Sequence, residues 1–219
     1  MSEKPKITIV DYGVGNLYSL IGAFKFFGVD PVVTEDAKTI EEADGVVIPG
    51  VGSFEAGMRG LQLRGLVETV KKIAASNKPM LGICLGAQLM LSEGHEFGVF
   101  KGLDIMKGKV MHFPPLADNE KVPQIGWNTL IHSKNDAWKS SILDSFTKNS
   151  QVYFVHSYVL DPESREDALA LSNYGGHTFC SAIKRGNIYG FQFHPEKSGA
   201  VGLKLIENFI NLVDSVKNA

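Results

Sequence analysis

Cys84 stands between two glycines, in Gly82-Ile-Cys84-Leu-Gly86, where the apolar run Met80 to Ile83 gives way to the helix-prone Ala87-Gln-Leu-Met-Leu91. A buried strand that turns sharply into a helix, with a nucleophile at the turn, has the form of a nucleophile elbow with sulfur in place of hydroxyl. Glycines are needed there because so sharp a turn strains the backbone and packs it closely. The turn leaves the sulfur at the head of a helix, where amide dipoles favour a thiolate. An ordinary thiol of pKa near 8.5 is only about 3% ionised at neutral pH; lowering it by about 1.5 units, about 2 kcal/mol, brings it to about half. The same residues also suit a small apolar side chain capping a core strand.

A thiolate needs a base, and the base an orienter. Far downstream, the β-prone run Ile188-Tyr-Gly-Phe-Gln-Phe193 leads into His194-Pro195-Glu196. Positions i and i+2 of a strand share a face, so His194 and Glu196 are expected to project together if the chain stays extended through Pro195. Proline keeps the residue before it out of the helical region. Glu196 would then hold one imidazole tautomer, and His194 would take the proton of Cys84, in the chain order Cys, His, Glu. Taken alone, His-x-Glu also describes a solvated strand end.

A third signal is Val46-Val-Ile-Pro49-Gly50-Val51-Gly52-Ser53, followed by a helical stripe through Met58, Leu61, Leu66, Val67, Val70 and Ile73. Glycines let backbone N–H groups converge on an anion. The turn suits an oxyanion hole beside a thiolate, suits a phosphate, and equally serves as a tight strand-to-helix connection. His156 lies in the β-like run 152–158, near the expected pocket, without a carboxylate two residues on. His95, His112, His132 and His177 are scattered, and no metal-ligand spacing occurs, so neither metal nor cofactor is expected.

Strands alternating with helices must hold these groups. Ile7–Val10 reads as a first buried strand, 16–27 as a helix with Leu17, Leu20, Ile21, Phe24 and Phe27 on one side, ended by Gly28. Residues 31–33 and Gly45–Ile48 are further strands, and the helix after Ser53 leads to the strand before Cys84. This order implies an α/β fold: a three-layer, open, mostly parallel twisted sheet with helices on both faces. From Leu103 onward short β-like runs at 109–113, 125–132, 152–158, 168–171, 179–183 and 188–193 add antiparallel strands. A last helix, 200–216, carries Val201, Leu205, Phe209 and Leu212 inward, and the 114–120 loop reads as exposed and mobile. In open parallel sheets the working site lies beyond the carboxyl ends of the strands, where Val10, Ile48 and Ile83 all end.

The 219 residues are read as one domain, 1–219, and 44% hydrophobic content permits a substantial core. Mean hydropathy is near zero. A net charge of −2 without a basic block argues against nucleic acid. The polar start is not expected to act as a signal peptide, and no run reads as long enough to cross a membrane. Of the two cysteines, Cys84 and Cys180, the second reads as packing in a strand; free thiols fit a reducing cytoplasm.

Three segments together, Gly82-Ile-Cys84-Leu-Gly-Ala-Gln88, Pro49-Gly-Val-Gly-Ser53 and Phe191-Gln-Phe-His194-Pro-Glu196-Lys197, resemble the class I (triad) glutamine amidotransferases. Asp11-Tyr-Gly-Val-Gly-Asn16-Leu, Gly126-Trp127-Asn128 and Phe154-Val-His-Ser-Tyr158 narrow the resemblance to the glutaminase subunit of imidazole glycerol phosphate synthase, from about residue 6 to residue 213. The resemblance implies a flavodoxin-like glutaminase fold in which Cys84, His194 and Glu196 form the triad. The amides near Val51 and Leu85 would form the oxyanion hole, while Gly50, Gly52, Gln88, Ser157 and Tyr158 hold glutamine. It implies a heterodimer with a (β/α)₈-barrel cyclase/synthase subunit that receives ammonia through a channel, in histidine biosynthesis in the cytoplasm. Asn16, Trp127 and Lys197 would face that partner, and the 49–53 loop would move on activation. Two positions depart from the pattern: Ala87 where a larger residue is expected, and Gln124-Ile125 where a histidine is expected. Two alternatives share these motifs: a paralogous glutaminase supplying ammonia for amidated bacterial surface sugars, and a catalytically silent regulatory domain.

Overall fold

Strands without a polar face belong inside a sheet covered on both sides. In the computed structural model, which describes residues 4–15, 17–117, 120–147 and 149–218, the first half alternates in that manner. Its elements are β1 (Ile7–Val10), α1 (Leu17–Phe26), β2 (Val32–Thr34), α2 (Ala37–Glu42), β3 (Gly45–Ile48), α3 (Phe54–Leu63), α4 (Leu66–Ala75), β4 (Met80–Ile83) and α5 (Leu85–Leu89). Every residue of β1, β3 and β4 is buried. The second half is mostly strand: β5 (Glu93–Gly94), β6 (Phe100–Lys101), β7 (Gly108–His112), β8 (Gln124–Thr129), β9 (Ile131–His132), β10 (Gln151–His156), β11 (Tyr158–Pro162), β12 (Ala168–Tyr174), β13 (His177–Arg185) and β14 (Ile188–Phe191), closed by α6 (Gly199–Lys217).

The main sheet runs β2-β1-β3-β4-β14-β13-β11-β7-β5-β6, with β12 branching from β13 and β9 pairing with β12. β2 through β14 in that order are parallel, and β14 is antiparallel to β13. β8 and β10 form a separate antiparallel pair. One face carries α1 and α6 through Leu20, Phe24, Leu205 and Phe209, packed with Val152 and Phe154 of β10. The other carries α2 to α5 through Ile40, Leu61, Val70 and Leu85.

Local chemistry explains where elements differ from the sequence reading. The stripe after Ser53 is two helices, because Gly65 takes φ +66 and breaks the first one at Arg64. The 125–132 run divides into β8 and β9, with Leu130 buried between them. In α6 the fully buried stripe is Leu205, Ile206, Phe209 and Val213, and Val201 and Leu212 are half-buried at its margin. Asn16, Asp118 and Asn119 lie outside the described residues, so the expectations for Asn16 and for the middle of the 114–120 loop rest on sequence. Among the described residues no helix is long and apolar enough to cross a membrane.

Candidate active site

Three neighbouring parallel strands release their carboxyl ends side by side. Ile48 of β3 pairs with Gly82, and Ile83 of β4 pairs with Phe191 of β14. The 49–53 loop, Cys84 and the segment 192–194 therefore emerge along one edge of the sheet. Cys84 itself has φ +51 and ψ −110, a conformation that costs a non-glycine residue about 1–3 kcal/mol. Surrounding bonds hold it there: its N–H donates to Phe191 O at 2.7 Å, and its carbonyl accepts from Ala87 and Gln88 at 3.0 and 3.1 Å. A Cβ on Gly86 would stand 1.8 Å from Ile48 O, and one on Gly82 2.8 Å from the Ala87 backbone. Both glycines are thus set by close backbone approach, as the spacing around Cys84 suggests. α5 is only five residues long, beginning at Leu85, so its dipole is a weak stabiliser of a thiolate.

His194 is extended, with φ −104 and ψ 96, and its N–H donates to Tyr153 O of β10 at 2.9 Å. The extended geometry does not continue: Pro195–Lys197 forms one 3₁₀ turn, which proline at its first position favours. The turn still brings the pair together, with His194 Nδ1 2.7 Å from Glu196 Oε1 and their side chains 3% and 5% exposed. With Nδ1 donating to the carboxylate, Nε2 is the nitrogen left for chemistry; it is buried and makes no hydrogen bond among the described residues. Burial pushes the imidazole down, but the adjoining Cys84 sulfur and the Glu196 carboxylate outweigh it and raise its pKa to about 10.

Cys84 and His194 line a cavity of about 270 Å³ with Val51, Gly52, Gln88, Glu96, Val155, His156, Ser157 and Tyr158. Of the two amides expected to face an oxyanion, that of Leu85 donates instead to Gly50 O at 3.3 Å. Gly50 has no room for a side chain, since a Cβ would stand 2.4 Å from the Tyr12 hydroxyl, which itself donates to Pro49 O. Gly52, at φ +111, borders the cavity with open space around it. Gln88 Nε2 donates to Tyr158 O at 3.3 Å and to Gln192 Oε1 at 3.1 Å. His156 donates from Nδ1 to Tyr158 O at 2.8 Å, its Nε2 faces the Gln124 side chain at 3.1 Å, and burial pushes its pKa down to about 4. The departure at Gln124 is thus a buried residue paired with His156.

Glu96 is a member that the sequence reading omits. It follows β5, accepts the N–H of Phe54 at 2.6 Å, and so ties the head of α3 to the cavity. No local spacing marks it, because its partners lie more than forty residues away. Trp127 is 54% exposed and meets the ring of Tyr153 edge-on at 6.1 Å, while Lys197 Nζ lies 6.0 Å from the same ring. Trp127 and Lys197 therefore share one surface. Cys180 is buried away from the cavity, and burial pushes its thiol up to about 12.

A family model described as glutamine amidotransferase class I matches residues 8–212. The chain is 45% identical over 210 residues to imidazole glycerol phosphate synthase subunit HisH 1 of Legionella pneumophila strain Paris, covering 94% of this chain and 99% of that protein. It is 42% identical over 203 residues to subunit HisH of Chlorobaculum tepidum, covering 93% and 98%. Among solved structures, PurLQS from Thermotoga maritima superposes with a TM-score of 0.70 at 18% identity, covering 95% and 99%. A crystal structure of a glutamine amidotransferase gives 0.70 at 16%, covering 94% and 98%.

Proposed function

The chain belongs to the class I glutamine amidotransferases, within them to the HisH subunits of imidazole glycerol phosphate synthase, and on that premise we propose that Cys84 is the nucleophile of its glutaminase reaction. The observation that carries this reading is the placement of Cys84 beside an imidazole whose far nitrogen is held by a buried carboxylate at 2.7 Å. The sulfur attacks the side-chain amide carbon of glutamine, and His194 carries the proton from the thiol to the departing ammonia. A glutamyl thioester remains, and water, deprotonated by the same imidazole, releases glutamate. Glu196 keeps the ring in the productive tautomer.

The oxyanion needs the Leu85 amide as a donor, and in this conformation Gly50 O occupies it. Turning over the peptide between Gly50 and Val51 would free the Leu85 N–H and swing the Val51 N–H toward the same spot. Each such donor is typically worth about 3–4 kcal/mol in the barrier. A glutaminase built this way rests until something moves the 49–53 loop, which we assign to the synthase partner with its bound ligand. Gln88, Gly52, Ser157 and Tyr158 hold glutamine, with the Glu96 carboxylate suited to its ammonium group.

Ammonia released into water at neutral pH is protonated and lost as a nucleophile, so the acceptor must sit next door. The relatives are named as subunits of a synthase, and the partner we propose is a (β/α)₈-barrel cyclase subunit, bound on the Trp127 and Lys197 face in the cytoplasm. There ammonia reacts with a phosphoribulosyl formimino-carboxamide nucleotide, giving imidazole glycerol phosphate and an aminoimidazole nucleotide. Glutamate release with the purified partner present tests the assignment. Cys84→Ala should lower it by at least about a thousandfold; equal release from both proteins overturns it.

A further inference from the structure

Phe191 and Phe193 stack on each other at 4.7 Å, and Gln192 between them is fully buried. Its backbone N–H donates to Ser181 O at 3.0 Å, which fixes the residue to β13. The orientation of its side-chain amide follows from the neighbours. A peptide carbonyl only accepts, so Gln88, with Nε2 3.3 Å from Tyr158 O, turns its NH₂ end that way. The same nitrogen lies 3.1 Å from the Gln192 side chain, which must therefore present its oxygen. That leaves the Gln192 NH₂ group facing Cys84 Sγ at 3.8 Å.

The sulfur needs such a donor. It is nearly buried, its helix is five residues long, and the peptide oxygen of Val155 stands 3.9 Å away. Each of these offers a thiolate little or opposes it. Resting on the reading of Cys84 as nucleophile, we propose that Gln192 is a positioning residue that orients the Cys84 sulfur and stabilises its thiolate by donating an N–H to it. The donor carries no charge and does not titrate, so it acts alongside His194 at every working pH. The titratable groups around the sulfur are His194 with Glu196, His156, Glu96 and Tyr12. Replacing Gln192 leaves all of them in place.

The pH dependence of Cys84 alkylation by iodoacetamide in the full chain, mapped by peptide mass so that Cys180 does not contribute, tests the proposal without turnover. Gln192→Met should raise the midpoint by about one pH unit, the tenfold effect expected of a hydrogen bond to a charged group. In the complex with its partner, kcat at saturating glutamine should fall about tenfold. An unchanged midpoint in a variant that melts like the parent overturns the proposal. If Gln192→Met does not fold, the side-chain amide NMR signal of Gln192 in the unmodified chain takes its place. It should shift with the Cys84 midpoint and stay flat in Cys84→Ala; a signal indifferent to Cys84 overturns the proposal. Undiminished glutaminase in Cys84→Ala would instead remove the nucleophile assignment, a separate result.

Discussion

Two histidines border the same cavity and are pushed in opposite directions. His194 is raised to about 10 because a sulfur and a carboxylate favour its charged form over the cost of burial. His156, bonded to the peptide oxygen of Tyr158 and a neutral amide, is lowered to about 4 by burial. One imidazole is thus held ready to carry a proton and the other is kept neutral. Linkage fixes the signs. The raised pKa of His194 contributes stability that is complete below the unfolded value near 6.5 and is lost as pH rises through about 10. Glu196→Gln removes part of it, so the melting temperatures of parent and variant should differ most near pH 6 and converge toward pH 10; the same variant should lose about 10²–10⁴ in kcat. Parallel melting curves across that range would count against the pairing. At this scale the local motifs were legible: Gly-x-Cys-x-Gly and His-x-Glu keep their partners within a few residues. Glu96 and Gln192 were not, because their roles come from contacts more than forty and one hundred residues away.

The elements around the cavity are set by how closely backbones approach. Gly86 lets α5 rest on the end of β3, and a Cβ there meets Ile48 O at 1.8 Å, which the backbone cannot absorb without moving. Gly86→Ala should cost about 3 kcal/mol or more, a fall of roughly 6–12 °C in Tm. Gly65→Ala meets nothing within 4 Å and is penalised only by φ +66, so it should cost about 1–2 kcal/mol. Thermal melts of both test the contrast; equal losses would show that the close approach is not what Gly86 serves. The alternation of strands and helices was readable from apolar runs and helical stripes, since a strand covered on both faces is apolar throughout. The break at Gly65 was hidden because the apolar spacing of α3 and α4 runs on across it. The 3₁₀ turn at Pro195 was hidden because proline fits both an extended segment and the start of a turn.

Across the whole molecule, the cavity and the Trp127 surface are joined through β10. Its residue Tyr153 accepts the His194 N–H, touches Trp127 and lies under Lys197, while residues 155–158 pass along the cavity. A partner docked on Trp127 as proposed would press on the segment that holds His194. A half-exposed tryptophan on a strand is the kind of side chain that anchors an interface. Trp127→Ala should weaken association with the synthase partner by about thirtyfold or more in Kd, by titration calorimetry, with glutaminase of the isolated chain unchanged. Unaltered affinity would move the interface elsewhere. The overall sheet with its two helical layers followed from composition and order. The engaged Leu85 amide did not, because it depends on which way one peptide between Gly50 and Val51 faces. The most direct measurement is peptide mapping of the complex quenched in acid during glutamine turnover: a glutamyl adduct on Cys84, absent in Cys84→Ala, is expected. An adduct on another residue, or turnover that persists without the sulfur, would contradict the account.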